Sequence, residues 1–139
     1  MIQIIAGEKG KGKTKILLDK VNADVASAKG SIVYLDKSNK HMYELNNKVR
    51  LINVRDYLVE EPKEFLGFVC GLISQDHDLE KIYIDSFLKI ACTDANDIPI
   101  VMEKLELITD KFQVDIVISM SMNGDALPEI AKKYVSVSL

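Results

Sequence analysis

Short apolar runs alternate along the chain with segments whose apolar residues recur every three or four positions. The apolar runs have the length of strands and occupy residues 2–6, 31–36, 49–54, 81–85, 114–120 and 134–137. Nearly continuous apolar runs of this kind are typical of strands covered on both faces, as in parallel sheets. The pattern therefore predicts a mostly parallel sheet of about six strands.

The segments between these runs predict helices. One covers residues 13–28, a second begins at Pro62, a third has Pro99 in its first turn, and a short one covers residues 126–133. Residues 37–48, rich in Lys and Asn, predict a loop. Strands that alternate with helices indicate an α/β fold with helices on both faces of the sheet. No linker or repeat interrupts this order, so residues 1–139 are interpreted as one domain.

Composition restricts the class of protein further. The 139 residues are 47% hydrophobic and 28% charged, which excludes intrinsic disorder, and no apolar run approaches the roughly 18 residues that cross a bilayer. The N-terminal residues lack the basic leader of a signal peptide. Cys70 and Cys92 stand in apolar surroundings, which predicts reduced, buried thiols and a cytoplasmic protein. The net charge of −3 argues against freestanding nucleic-acid binding, because phosphate binding needs a basic field.

The residues that follow the first predicted strand match the phosphate-loop pattern G-x-x-x-x-G-K-[ST]. The match reads Gly7-Glu8-Lys9-Gly10-Lys11-Gly12-Lys13-Thr14. Its glycines permit positive φ angles and a close approach of backbone N–H groups to phosphate, and the next helix points its positive end at the same anion. Lys13 is then expected to reach the β- and γ-phosphates, and the Thr14 hydroxyl to ligate magnesium. For Lys9 and Lys15, nucleotide contact and plain solubility are alternatives.

With this motif the chain resembles the P-loop NTPases, in which the motif is called Walker A. The resemblance implies ATP and Mg²⁺ as cofactors and a second motif, an aspartate that ends a buried strand and holds the magnesium shell. Ile82-Tyr83-Ile84-Asp85 supplies such a Walker B segment. An aspartate at a strand end is also a common turn residue, so this assignment depends on its pairing with the first motif.

The surroundings of Asp85 resemble the RecA-like group of ATPases. Two predicted strands separate the glycine-rich motif from Asp85, and Ser86 completes the apolar-Asp-Ser pattern frequent in that group. The resemblance implies a three-layer fold with the sheet order 3-2-4-5-1-6. A guanine-specific Asn/Thr-Lys-x-Asp motif does not follow residue 85, which favours ATP over GTP.

The same resemblance implies a residue at the tip of the fifth strand that senses the γ-phosphate, and a glutamate that activates water. Ser119 and Ser121 share one face of the fifth predicted strand, and sensing and simple strand termination are alternatives for them. No glutamate stands at either place expected for it. Asp36 is the nearest carboxylate and could orient water, although a turn role is the favoured interpretation. Arg55 is either an arginine finger in trans or a surface residue.

The leading hypothesis is Mg-dependent ATP binding with slow or partner-stimulated hydrolysis, in which Lys13, Thr14 and Asp85 do the electrostatic work. Enzymes of this group that drive motors act between subunits, so a homo-oligomer or a protein partner is a corollary. One alternative is a regulatory or assembly module that binds nucleotide without hydrolysis. Another is a small-molecule kinase resembling the thymidine-kinase type, although its zinc-binding cysteine cluster is missing.

Overall fold

A computed structural model describes residues 1–139 and shows a six-stranded sheet. The strands, numbered in chain order, are β1 (Ile2–Ala6), β2 (Ser31–Asp36), β3 (Val49–Asn53), β4 (Leu79–Ile84), β5 (Asp115–Met120) and β6 (Val135–Ser138). All neighbouring pairs are parallel and their order is β3-β2-β4-β5-β1-β6. The predicted α/β class and the predicted sheet order are confirmed.

Five helices connect these strands. They are α1 (Lys13–Val25), α2 (Pro62–Gln75), α3 (Phe87–Ile90), α4 (Ile98–Phe112) and α5 (Glu129–Lys132). Two short 3-10 turns, Val54–Tyr57 and Gly124–Ala126, complete the connections. Proline stands in the first turn of both α2 and α4, where its fixed φ suits a helix and its missing N–H has no partner to lose.

The helices cover both faces of the sheet and create two apolar clusters. On one face α1 buries Leu17, Leu18 and Val21 against the sheet. On the other face α2 and α4 pack together over a larger cluster that includes Phe65 and Leu105. Each such buried side chain contributes roughly 1.5–3 kcal/mol relative to an exposed one, so the sheet is stabilised from both sides.

Several predicted boundaries differ from the structure. The first helix ends at Val25, and the predicted helix over residues 126–133 is a 3-10 turn followed by the four residues of α5. The helix α3 is absent from the prediction because four residues are too few to show a helical period. Residues 37–48 form turns, as predicted.

The prediction that both cysteines are buried is wrong. Cys70 and Cys92 are free thiols, as expected, but both are partly exposed. Cys70 follows Val69 on α2 and lies beside the buried stripe of that helix, whereas Cys92 stands in a turn after α3 with a φ of 53°. None of the helices combines the length and hydrophobicity that a bilayer crossing requires.

Candidate functional site

A row of polar side chains crosses the carboxyl edge of the sheet. Strand register places Leu35 opposite Ile84, and Ile84 opposite Ile118. The next residue on each strand is therefore Asp36, Asp85 or Ser119, and these three lie side by side on the face covered by α1. In an open parallel sheet this edge is where ligands bind.

The glycine-rich segment closes this edge from the end of β1. Gly10 and Gly12 have φ angles of 86° and 92°, a region that side chains other than glycine avoid. Gly12 is the N-cap of α1, and no side chain caps its first turn or adds negative charge there. The first N–H groups of α1 therefore have no side-chain partner, which leaves a site that favours an anion.

Lys13, the first residue of α1, is held inside the loop. Lys13 as a whole residue is 7% exposed, and its Nζ donates to the backbone oxygen of Glu8 at 3.0 Å. Burial lowers the pKa of Lys13, and the negative charge of Asp85 opposes that shift. Asp85 compensates the positive charge of Lys13 only in part, so a second anionic partner would stabilise the charged ammonium group.

Asp85 is a buried carboxylate with three hydrogen-bond donors around it. Its Oδ1 accepts from the Ser119 hydroxyl at 2.6 Å and from the backbone N–H of Ser86 at 2.9 Å. Its Oδ2 accepts from the Tyr34 hydroxyl, also at 2.9 Å. Ser86 has a φ of 53°, a strained value for a residue with a side chain, and this turn aims its N–H at the carboxylate. These contacts fix the orientation of Asp85.

The two serines of β5 and the turn after it have different surroundings. The Ser119 hydroxyl donates to Asp85 and accepts from the N–H of Ser86 at 3.0 Å, so its proton already has a partner. Ser121 is exposed and lines the same cavity. Ser119 therefore positions Asp85, while Ser121 has the hydroxyl free to contact a ligand.

Asp36 lies next to Asp85 but is almost completely enclosed. It is 2% exposed, its Oδ1 accepts from the N–H of Lys37 at 2.7 Å, and its Oδ2 has no hydrogen-bond partner. Burial raises the pKa of Asp36, and the charge of Asp85 raises it further. Asp36 is absent from the residues that line the cavity described next.

The loop, Asp85 and Ser119 surround one cavity of about 530 Å³. The glycine-rich segment contributes Lys9, Gly10, Gly12, Lys13 and Thr14 to its wall. Only one of the 13 lining residues, Leu88, is apolar, and none is aromatic. A wall of this chemistry suits a charged, hydrogen-bonding ligand.

Other residues of the predicted site do not line this cavity. Gly7, Glu8, Lys11 and Lys15 are absent from its wall. Lys15 is exposed and forms an ion pair with Asp19 one turn further along α1, at 3.1 Å. Gly7 has a packing role, because a Cβ there would lie 3.0 Å from the Cβ of Leu139.

The donors at the cavity fit a magnesium ion. Mg²⁺ prefers oxygen ligands and is usually held by one or two protein groups together with water and substrate phosphates. Thr14 and Asp85 both line the cavity and offer a hydroxyl and a carboxylate. No group of three or more His, Cys, Asp or Glu side chains is placed to hold a metal ion.

Comparison with solved structures identifies the fold. The flagellar accessory protein FlaH from Methanocaldococcus jannaschii superposes with a TM-score of 0.61 at 18% identity, over 95% of this chain and 65% of that one. A KaiC-like protein from Pyrococcus horikoshii superposes with a TM-score of 0.62 at 15% identity, over 96% of this chain and 66% of that one. The chain has the RecA-like α/β fold.

This RecA-like chain spans slightly less than two thirds of the length of either neighbour. No protein-family model matches its sequence, and no curated protein matches it. The two neighbours therefore support the architecture, while the site is argued from the residues of this chain.

Sequence reasoning missed Tyr34. This side chain is fully buried and stacks on Tyr83 of the neighbouring strand, with ring centroids 6.5 Å apart and planes within 12°. Burial raises the pKa of the Tyr34 hydroxyl, and the charge of Asp85 adds to the effect, so the group stays a donor at all ordinary pH values. The signal was a tyrosine within an otherwise aliphatic run, since a buried hydroxyl needs a partner.

Proposed function

We propose that this chain binds a nucleoside triphosphate, ATP in the first place, together with magnesium at the carboxyl edge of its sheet. The observation that supports the proposal most is a convergence on one cavity. The buried Lys13 ammonium, the uncapped start of α1 and the fixed Asp85 carboxylate all meet there. Cation, backbone donors and metal-binding oxygen are what a magnesium triphosphate requires.

Each of these groups has a distinct task in the proposal. The N–H groups at the start of α1 bind the phosphate chain, and Lys13 exchanges its contact with the Glu8 carbonyl for a phosphate oxygen. Thr14 and Asp85 hold the magnesium ion, which neutralises phosphate charge when bound. Tyr34 and Ser119 keep the Asp85 carboxylate in one orientation.

We expect this chain to hydrolyse ATP slowly in the absence of a partner. Asp85 is the only carboxylate that lines the cavity, and three donors already engage it. Asp36 is close but enclosed, so a water molecule can reach it only after local rearrangement. A general base must lie within hydrogen-bond reach of the water that it activates. The lack of a carboxylate free to act as the base also favours a second candidate, a regulatory module that binds nucleotide and does not hydrolyse it.

Calorimetric titration with ATP, ADP and GTP in magnesium tests the binding. We expect micromolar affinity for ATP, weakened about 30- to 100-fold in Lys13→Met, because a charge-assisted contact is lost while the buried stem is kept. The matched control is Lys104→Met, an exposed lysine of α4, which should bind like the unaltered protein. A folded protein without nucleotide affinity would refute the proposal.

Phosphate release by the same preparations separates the two candidates. Slow turnover that depends on Lys13 supports an ATPase. Tight binding with no release over hours supports the regulatory module.

A further inference from the structure

A group of lysines outside the glycine-rich loop also lines the cavity. Lys37 follows β2, Lys40 lies three residues further on, and Lys89 belongs to α3 after β4; all three line the cavity. Arg55, in the turn after β3, does not line the cavity. We call the three lysine side chains the distal cations.

The distal cations lack anionic partners. None of them takes part in any of the ion pairs of the structure, although the chain has 21 acidic residues and a net charge of −3. The nearby Lys37 side chain, followed by the charge of Lys9, lowers the pKa of Lys89. Cations that approach one another without a counter-charge repel, and an anion between them removes that repulsion.

Their place in the sheet separates them from the phosphate loop. The loop leaves β1, while Lys37 and Lys89 follow β2 and β4, and β5 lies between β1 and β4. Asp85, which directly follows β4, lines the cavity together with both groups. If Lys13 and α1 hold a triphosphate, as proposed above, the distal cations lie beyond its terminal phosphate.

We propose that the distal cations form a second anion subsite, which binds a phosphate-bearing small molecule beside the terminal phosphate of the nucleotide. The subsite rests on the proposed function for its position, since the nucleotide forms one of its walls. Several ammonium groups around one space suit a multiply charged tetrahedral anion, because lysine acts as a mobile point charge.

A small ligand fits the surroundings better than a nucleic acid. The lysines line a cavity of about 530 Å³, which has the size of a small-molecule site. The lining contains no aromatic side chain on which a base could stack. The acidic balance of the whole chain also opposes a long polyanion.

The test uses inorganic phosphate as the probe on the full chain saturated with magnesium and the non-hydrolysable analogue AMPPNP, at constant ionic strength. We expect saturable binding of one phosphate per chain. The double variant Lys37→Gln/Lys89→Gln should weaken phosphate binding about tenfold or more and AMPPNP binding less than about threefold. The matched control, Lys63→Gln/Lys104→Gln, removes two exposed lysines of α2 and α4 and should change neither.

Other outcomes are equally informative. Absence of saturable phosphate binding to the nucleotide complex overturns the subsite, and so does an equal loss of phosphate and AMPPNP in the double variant. Tight, salt-dependent binding of a single-stranded oligonucleotide, lost in the double variant, overturns the small ligand in favour of a nucleic acid.

Failure of the proposed nucleotide binding gives a result different from failure of the subsite. In that case the unaltered protein does not bind AMPPNP at all. Phosphate binding to the free chain that depends on Lys37 and Lys89 would then still support an anion subsite, and its absence would overturn it.

Discussion

The hydroxyl of Tyr34 donates to Oδ2 of Asp85 across 2.9 Å, from one strand of the sheet to its neighbour. Both side chains are buried, and Asp85 is 3% exposed. The contact means that a residue outside the glycine-rich loop and outside the cavity wall fixes the proposed magnesium ligand. The environment of Asp85 is therefore built by β2 and β5 as well as by its own strand.

Removal of that hydroxyl tests its role. Tyr34→Phe takes a hydrogen bond from a buried carboxylate, which should reduce the free energy of unfolding by about 1.5–3 kcal/mol. Affinity for ATP should fall in the presence of magnesium and stay unchanged in EDTA, because the change acts through Asp85. Tyr83→Phe is the matched control: its hydroxyl bonds Asp24 instead, so it should alter stability without altering magnesium dependence. Equal effects of the two variants on magnesium dependence would contradict this role.

Ser119 in β5 and Ser121 in the turn after it should respond differently to substitution. Ser119→Ala removes the 2.6 Å donor of Asp85 and should destabilise the protein by about 1.5–3 kcal/mol in thermal or urea unfolding. Ser121→Ala alters an exposed hydroxyl, so stability should change by less than about 0.5 kcal/mol, while affinity for ATP falls. The reverse pattern, with Ser121 important for stability, would exclude the positions described above.

The ionised carboxylate of Asp36 should lower the free energy of unfolding at neutral pH. Its folded pKa is raised by burial, so the folded state holds the proton more tightly than the unfolded state does. Stability is therefore lost as pH rises from the ordinary carboxyl pKa, about 3.9, through the raised value. Asp36→Asn removes that loss and should stabilise the protein by about 1–2 kcal/mol at pH 7.

Urea unfolding across pH 4 to 8 measures this difference. The exposed Asp110→Asn serves as a control that should follow the unaltered protein. If Asp36→Asn is stabilised equally at every pH, titration of Asp36 is not the cause. Loss of phosphate release in Asp36→Asn, with ATP affinity unchanged, would assign Asp36 the role of a base.

Two glycines should show opposite responses to alanine. Gly12 has a φ of 92°, a conformation that is unfavourable for alanine, so Gly12→Ala should reduce stability by about 1–2 kcal/mol. The same substitution should weaken ATP binding, because the loop must change its backbone conformation to relieve the strain. Gly67 lies exposed within α2, where a Cβ meets nothing within 4 Å. Gly67→Ala should raise stability by roughly 0.5–1 kcal/mol and leave ATP binding unchanged. Thermal unfolding and calorimetry of both variants check the pair.

The fold was more accessible from sequence than the site was. Unbroken apolar runs such as residues 2–6 and 81–85 show a buried strand locally, and the alternation with helices indicates a parallel sheet without further information. The strand order came from the resemblance to a known group, since periodicity alone does not order parallel strands. The sequence did not predict α3, because a helix of four residues is too short to show a helical repeat of apolar positions.

At the site, sequence could locate residues but not their partners. The motif placed Lys13 and Thr14, and the strand end placed Asp85. Whether the Ser119 hydroxyl faces a ligand or Asp85 depends on which strand lies beside β4, which is a property of the whole sheet. The same holds for the hydrogen bond of Tyr34 to Asp85 and for the cavity that Lys37 and Lys89 both line, because each pair joins segments distant in the chain.

The order of the strands also has a consequence for synthesis of the protein. Of the six strands of this sheet β1 is made first, but it pairs only with β5 and β6, whose residues 115–120 and 135–138 follow the other strands. The apolar residues of β1 therefore have no sheet partners until β5 is made, a situation that exposes a nascent chain to misassociation. The glycine-rich loop that follows β1 acquires its shape only when those late strands arrive. A ligand bound in this loop can therefore stabilise the assembled sheet, but it cannot guide the folding of β1 before β5 is made.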